Sequence, residues 1–191
     1  TAPTFPARRP FLPLDRIVRA LARIRAGEPV TRGTLQAIFR YTPFDELRRL
    51  GLDPATEAAA RRAFPRRVGM LVVTEVQPGS PADGRLQAGD VLVSLDGRLL
   101  ADFEALAGVL DERVGEEVVV EVERGGRRLA ERLAVQDLHA LMPDEYLEIG
   151  DSVLHTLSWQ MARHMNVPVR GVYVANPGYV FGPAGIPRAA V

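Results

Sequence analysis

The sequence predicts a mainly β fold with helices, of the α+β class, in which one full domain is followed by a partial second copy. Three observations carry this. Two β-branched runs, Met70 to Val76 and Val91 to Leu95, flank a segment dense in Gly, Pro, Ser and Asp, which reads as strand, structured turn, strand. Glu116 to Glu123 reads as a further strand, and Arg128 to Val135 returns after the hairpin turn Arg124-Gly125-Gly126-Arg127. Beyond Leu154 the wording of the middle of the chain starts again.

The 191 residues suffice for one ordinary domain plus part of another, with enough apolar side chains for a core. The 24 basic and 24 acidic residues balance, which gives no ground for a nucleic-acid partner. Every basic residue is Arg, as expected of coding bias rather than of a binding surface. There is no cysteine, so disulfides and thiolate metal sites are excluded and the compartment's redox state is not indicated. No apolar run approaches the roughly 18 residues of a membrane span, and no signal-peptide pattern opens the chain. The absent initiator Met and the interrupted repeat lead us to expect a piece of a longer protein.

Taken in order, residues 1–10 carry three prolines and Arg8-Arg9 without an apolar period and are expected to form a mobile leader. Phe11-Leu12-Pro13-Leu14 is a short extended run. Ile17, Leu21 and Ile24 then recur at helical spacing, with Asp15 as a plausible N-cap and Gly27 as the stop. Val30 to Phe39 is β-prone and opened by Arg32-Gly33. Phe44, Leu47 and Leu50 share one face of a short helix entered at Pro43 and closed by Gly51. Asp53 to Arg67 is an Ala- and Arg-rich insertion with helical character, bounded by Pro54 and Pro65. After the central strands, Asp102 caps a helix whose apolar stripe is Phe103, Leu106 and Leu110, with Val109 beside it.

The order from Gly69 to Gly97, strand, Pro78-Gly79-Ser80-Pro81-Ala82, short helix, Ala88-Gly89-Asp90, strand, Asp96-Gly97, resembles the PDZ domain, and in particular the PDZ domains of HtrA-type (Deg) serine proteases. Thr31 to Gln36, Arg48 to Leu52 and the long Asp53–Arg67 link are similar to the subgroup typified by the fungal nuclear HtrA-like protease. The resemblance implies a PDZ-like partly open β-barrel or sandwich of five to six strands with two helices, plus an incomplete second PDZ-like repeat. The implied domains are a leader over 1–10, a protease-to-PDZ junction strand and helix over 11–28, a PDZ domain over 29–136, a linker over 137–151, and the incomplete unit over 152–191. Phe11, Leu12 and Pro13 match the Phe-x-Pro signature of that junction, although a free amphipathic helix would read the same way.

In this family a loop with an Arg or Lys and a Gly before an apolar-Gly-apolar triplet holds a ligand carboxylate, its backbone N–H groups converging as a nest. Arg32, Gly33, Leu35 and Ala37 match that pattern, and Gln36 departs from it. A Gln forced to positive φ would carry on the order of 1–2 kcal/mol of strain. By resemblance the groove lies between the strand Leu35 to Phe39 and the helix Phe103 to Leu110. Its expected peptide-binding residues are Arg32, Gly33, Thr34, Leu35, Gln36, Ala37, Phe39, Phe103, Leu106 and Leu110. Leu106 also reads as plain core.

In the second copy, Leu154 to Met165 parallels the helix Phe44 to Leu52, and Val169 to Ala175 parallels Arg67 to Val73. The Pro- and Gly-rich tail stands where the turn stood, and the copy halts at Val191. A partial unit cannot cover both faces of its sheet, so 152–191 is expected to lean on the first domain or on another molecule.

No catalytic set is legible. Ser80 lies in Gly-Ser-Pro, a turn without nucleophile-elbow spacing. His139, His155 and His164 are dispersed, and the last two lie too far apart to share a helix face as metal ligands. Asp111-Glu112 and Glu116-Glu117 read as solvated pairs, and Gly125-Gly126 is a hairpin rather than a phosphate loop. The expectation is no metal and no cofactor. The resemblance implies a non-catalytic peptide-binding and regulatory PDZ region of an HtrA-like serine endopeptidase, taking C-terminal or unfolded hydrophobic segments by β-strand addition and serving an upstream protease domain. The alternative is a structural or oligomerisation module with a degenerate groove. The apolar end Arg188-Ala189-Ala190-Val191 is of the sort a neighbouring groove accepts, which keeps a homo-oligomer open. The family has periplasmic, organellar and nuclear members, so the compartment is not implied.

Overall fold

A computed structural model describes residues 14–191. The expected leader over 1–10 and the Phe11-Leu12-Pro13 signature lie outside the described residues. The chain divides into an N-terminal segment, 1–30, and a body, 31–191. In the N-terminal segment, α1 (Asp15–Arg25) closes through the Ala26 N–H on Ala22 O, 3.1 Å, and Gly27 follows at φ +72°.

The body is built on the order β2-β3-β4-β6-β7, with a two-residue strand β5 beside β4. Here β1 is Gly33–Thr34, β2 Ala37–Pro43, β3 Gly69–Val76, β4 Val91–Leu95, β5 Arg98–Leu99, β6 Glu117–Arg124, β7 Arg127–Ala134 and β8 Gln136–Asp137. Neighbouring strands on the path are antiparallel, and the sheets remain open. The sheet is buried on both faces at β3, because side chains alternate across a strand. Leu71 and Val73 join the core cluster that includes Leu92, Leu95, Val118, Val120 and Leu133. Met70 and Val72 point to a second cluster with Phe44, Leu47, Leu52 and Ala60. Those residues come from α2 (Phe44–Arg49), α3 (Pro54–Ala63) and the turn between them, so the Asp53–Arg67 insertion covers the sheet face opposite the main core. Asp53 caps α3 through Oδ1 on the Ala55 N–H, 2.6 Å.

Two buried carboxylates pin this frame. Asp90, fully buried, takes a bidentate pair from Arg124 at 2.7 Å on each oxygen. Buried Glu123 accepts from the Asp53 N–H at 2.7 Å, from the Thr56 hydroxyl and from Arg128 at 2.9 Å. Each charge is therefore matched by hydrogen bonds, the condition under which burial is tolerated.

The remaining helices are α4 (Phe103–Glu112), α5 (Trp159–Met165) and α6 (Gly178–Phe181). A separate sheet has the order β11-β10-β9, made of β9 (Leu147–Ile149), β10 (Ser152–Thr156) and β11 (Val172–Asn176). This sheet corrects two expectations. The stretch 137–151, expected as a linker, contains part of β8, a 3-10 turn at His139–Leu141, and β9. Leu154 to Thr156, read as the start of a helix, are strand residues paired with β11, and the helix begins only after Ser158, whose Oγ accepts the Met161 N–H at 3.2 Å. α5 and the loop after it meet the end of β3 through Gln77 Nε2, which donates to Val167 O, and the Arg163–Glu75 ion pair at 3.3 Å. No described helix is long and apolar enough to cross a membrane.

Candidate functional site

The candidate site is the outer edge of β2 together with α4. β2 stands at the end of the sheet order, paired on one side with β3 (Tyr41 opposite Leu71, Thr42 opposite Met70), and its other edge takes no strand among the described residues. An unpaired edge is a row of N–H and C=O groups ready to receive another chain. α4 is anchored at its start by Asp102, whose Oδ1 accepts the Ala105 N–H at 2.9 Å and whose Oδ2 meets Arg67 at 2.6 Å.

The far end of α4 is closed by a strap formed by β1. A Cβ on Gly33 would lie 1.9 Å from Leu110 O, so only glycine lets β1 approach this closely. The Gly33 N–H donates to Asp111 Oδ1 at 2.9 Å, and the Thr31 hydroxyl donates to Asp111 O at 2.9 Å. β8 holds the strap from the other side, with Gly33 opposite Asp137 and Thr34 opposite Gln136. The Arg32 N–H reaches Asp137 Oδ1 at 3.2 Å, and the Leu138 N–H donates to Arg32 O at 2.7 Å. Asp111, read from the sequence as solvated, is a structural acceptor. The approach of β1 gives it that role, and nothing local signals it.

The expected strand from Leu35 to Phe39 is interrupted. β1 ends at Thr34, and β2 starts at Ala37. Between them Gln36 takes the left-handed conformation, φ +54°. Its N–H donates to Thr34 Oγ1 at 2.9 Å, its C=O accepts the Gln77 N–H at 3.0 Å, and its Nε2 donates to Gln136 Oε1. These bonds offset a conformation that costs a side-chain-bearing residue on the order of 1–2 kcal/mol. The Leu35 N–H and the Arg32 guanidinium have no hydrogen-bond or ion-pair partner among the described residues.

Leu35, Leu106 and Leu110 are 1%, 5% and 5% exposed and belong to the main core, with Ala37 and Phe39 half-buried against them. Phe103, at 47%, stands open at the start of α4. Of the ten expected residues, Leu35, Leu106 and Leu110 lie in the core as a floor with Ala37 and Phe39 packed against it, Arg32 to Thr34 with Gln36 make up the head that precedes β2, and Phe103 stands apart as an exposed rim residue at the start of α4. Sequence reasoning missed Thr31, Asp111, Gln136 and Asp137, which hold that head in place.

Ser80 is buried in its turn, its N–H on Gln77 O at 3.2 Å. Among the described residues no group of three His, Cys, Asp or Glu side chains could hold a metal ion.

Family profiles match the chain twice, a PDZ domain over residues 72–124 and a PDZ-like domain over residues 140–189. Protease Do-like 7 of Arabidopsis thaliana is 46% identical over 192 aligned residues, which cover 95% of this chain and 18% of that protein. The pro-apoptotic serine protease nma111 of Aspergillus fumigatus is 49% identical over 164 residues, 86% of this chain and 16% of that protein. The chain therefore spans under a fifth of the length of either relative. Among solved structures it is similar to the HtrA-type protease AlgW with decapeptide, with 22% identity, a TM-score of 0.46 and coverage of 64% of this chain and 33% of that one. It is also similar to the HtrA3 PDZ domain bound to a phage-derived ligand, with 24% identity, a TM-score of 0.38 and coverage of 55% and 86%. With two PDZ-type matches in tandem and nearly half its residues shared with these relatives, the chain belongs to the PDZ region of the HtrA-type serine protease family.

Proposed function

We propose that the chain is a non-catalytic, regulatory peptide-binding region that receives C-terminal or extended hydrophobic segments as an added strand on β2. The observation that carries this reading is the edge of β2, unpaired among the described residues, headed by the Leu35 N–H and the Arg32 guanidinium, which have no partner among those residues. An added strand gains main-chain hydrogen bonds, each contributing about 0.5–1.5 kcal/mol net. Phe103, Ala37 and Phe39 offer the apolar contacts that must supply the rest. Micromolar affinity, about −8 kcal/mol, is the expected strength. In the parent protein the same binding event would position or gate a protease domain upstream.

One observation favours a weaker head than a Gly-containing loop would make: the Gln36 N–H is already spent on Thr34 Oγ1. A reading of the unit as a packing or oligomerisation module with a degenerate groove rests on that bond. Titration with hydrophobic peptides separates the two. Binding of free-carboxylate peptides in the micromolar range, weakened about tenfold or more by C-terminal amidation, supports the peptide receptor. No saturable binding of any peptide, with the fold intact, supports the packing module and removes the first reading.

A further inference from the structure

The second sheet repeats the first in a way that fills one of its own edges. Strand β10, helix α5 and strand β11 stand in the order of β2, its helices and β3, and each pair of strands is antiparallel. The inner strands end alike, in Val76-Gln77-Pro78-Gly79 and Ala175-Asn176-Pro177-Gly178. Each outer strand carries one register irregularity near its head, between Ile38 and Phe39 in β2 and between Val153 and Leu154 in β10. β10 is therefore the counterpart of β2, the strand whose outer edge is open.

The outer edge of β10 is not open. β9 pairs along it antiparallel, with Ile149 opposite Ser152, Glu148 opposite Val153 and Leu147 opposite Leu154. The connection is the two-residue turn Gly150-Asp151, both at positive φ, +48° and +55°, as a tight hairpin between twisted strands requires. Where the first unit has the Leu35–Gln36 break, with Gln36 at φ +54°, the second has this turn. The polarity also matches. The C-terminal end of β9 lies at the head of β10, as the C-terminal end of a peptide added to β2 would lie at Leu35–Gln36. All three β9 residues are exposed, with Leu147 at 56% and Ile149 at 47%, so β9 is held by main-chain pairing rather than by side-chain burial. That is the mode of an added strand.

We infer that β9 is a tethered surrogate ligand: Leu147–Ile149 fills in cis the strand-addition edge of the second PDZ-type unit, so that of the two equivalent edges, on β2 and β10, only that of β2 is open to a peptide among the described residues. This rests on the reading of β2 as a receiving edge. Tethering makes occupancy intramolecular, with an effective concentration in the millimolar range for so short a link, above that of a micromolar peptide in free solution.

The test is a residue-resolved amide NMR titration of the whole chain with a short synthetic peptide ending in a free-carboxylate valine, run on the wild type and on the Leu147→Pro/Ile149→Pro variant. The wild type is expected to bind one peptide, with shifts over 35–39 and 103–110 and none over 152–156. The variant, its edge released, is expected to bind a second peptide with shifts over 152–156. Shifts over 152–156 in the wild type, or a folded variant that still takes one peptide, overturn the inference. Shifts absent over 35–39 in both chains refute the β2 reading instead. Amide exchange in the free wild type decides the tethering separately, whether or not the variant folds. Protection of at least one of the amides 147–149 by tenfold or more is expected, and unprotected rates at all three overturn it.

Discussion

Replacing Gly33 by alanine tests the strap that shapes the head of the groove. The new Cβ would meet Leu110 O at 1.9 Å and Leu110 Cβ at 2.8 Å. The first of these is backbone within α4, so β1 or the end of the helix must move. Movement breaks the Gly33 N–H bond to the Asp111 carboxylate, 2.9 Å long. A hydrogen bond to a charged group is worth about 1.5–3 kcal/mol, and the displaced packing adds to that, so a loss of about 3 kcal/mol is expected. For a body of this size that lowers the melting temperature by about 6–12 °C. Thermal unfolding by circular dichroism measures it, with peptide titration of the same protein below its transition. Affinity should fall with stability, because the strap carries Arg32 and Leu35 to the edge. A Gly33→Ala chain that melts within about 2 °C of wild type and binds peptide unchanged would refute the role assigned to the strap.

The rim and the floor of the groove should separate. Phe103→Ala removes an exposed ring and is expected to weaken peptide binding several-fold with a melting shift under about 2 °C, whereas Leu106→Ala opens a core cavity and costs about 2–4 kcal/mol; equal melting shifts contradict the division. Gln36→Gly relieves the left-handed strain while giving up the Gln136 bond, so stability should change by no more than about 1 kcal/mol, and a free-carboxylate peptide should bind more tightly; weaker binding contradicts the account of the head. Glu57 is hydrogen-bonded by Arg48 and Arg61, and these guanidinium groups hold its carboxyl down to about 2. Its folded value lies below its unfolded one, so its stabilisation is present above about pH 4 and is lost as pH falls through that value toward 2. Melting curves of wild type and Glu57→Gln should therefore converge over that window, and curves parallel from pH 5 to 2 contradict the assignment.

Much of the frame was legible because its signals are local. The β-branched run of β3, the Asp-Gly and Gly-Gly turns, and Asp102 before the Phe103, Leu106 and Leu110 stripe each declare themselves within a few residues. The head of the groove was legible in its residue types and not in its conformation. Gln36 sits at positive φ although its own preference opposes it, and what holds it there joins the local Thr34 to Gln77 and Gln136, which are distant in sequence. Asp111 is indistinguishable in sequence from a solvated acid until Gly33 arrives above it. β9 escaped because three residues are too short for alternation to register, although Gly150-Asp151 is itself a hairpin-turn pair. Leu154 to Thr156 were misread for a related reason: apolar residues next to a helix share its spacing, and the Ser158 cap marks the true start.

The outer edge of β2 is proposed to receive a peptide strand. Amide hydrogen exchange across Leu35–Pro43, measured with and without a saturating free-carboxylate hydrophobic peptide, tests it most directly. Leu35 and the outward-facing amides of β2 should slow by tenfold or more on binding, while those already paired with β3 change little. Saturable binding that leaves these rates untouched would place the peptide elsewhere on the chain and contradict the account.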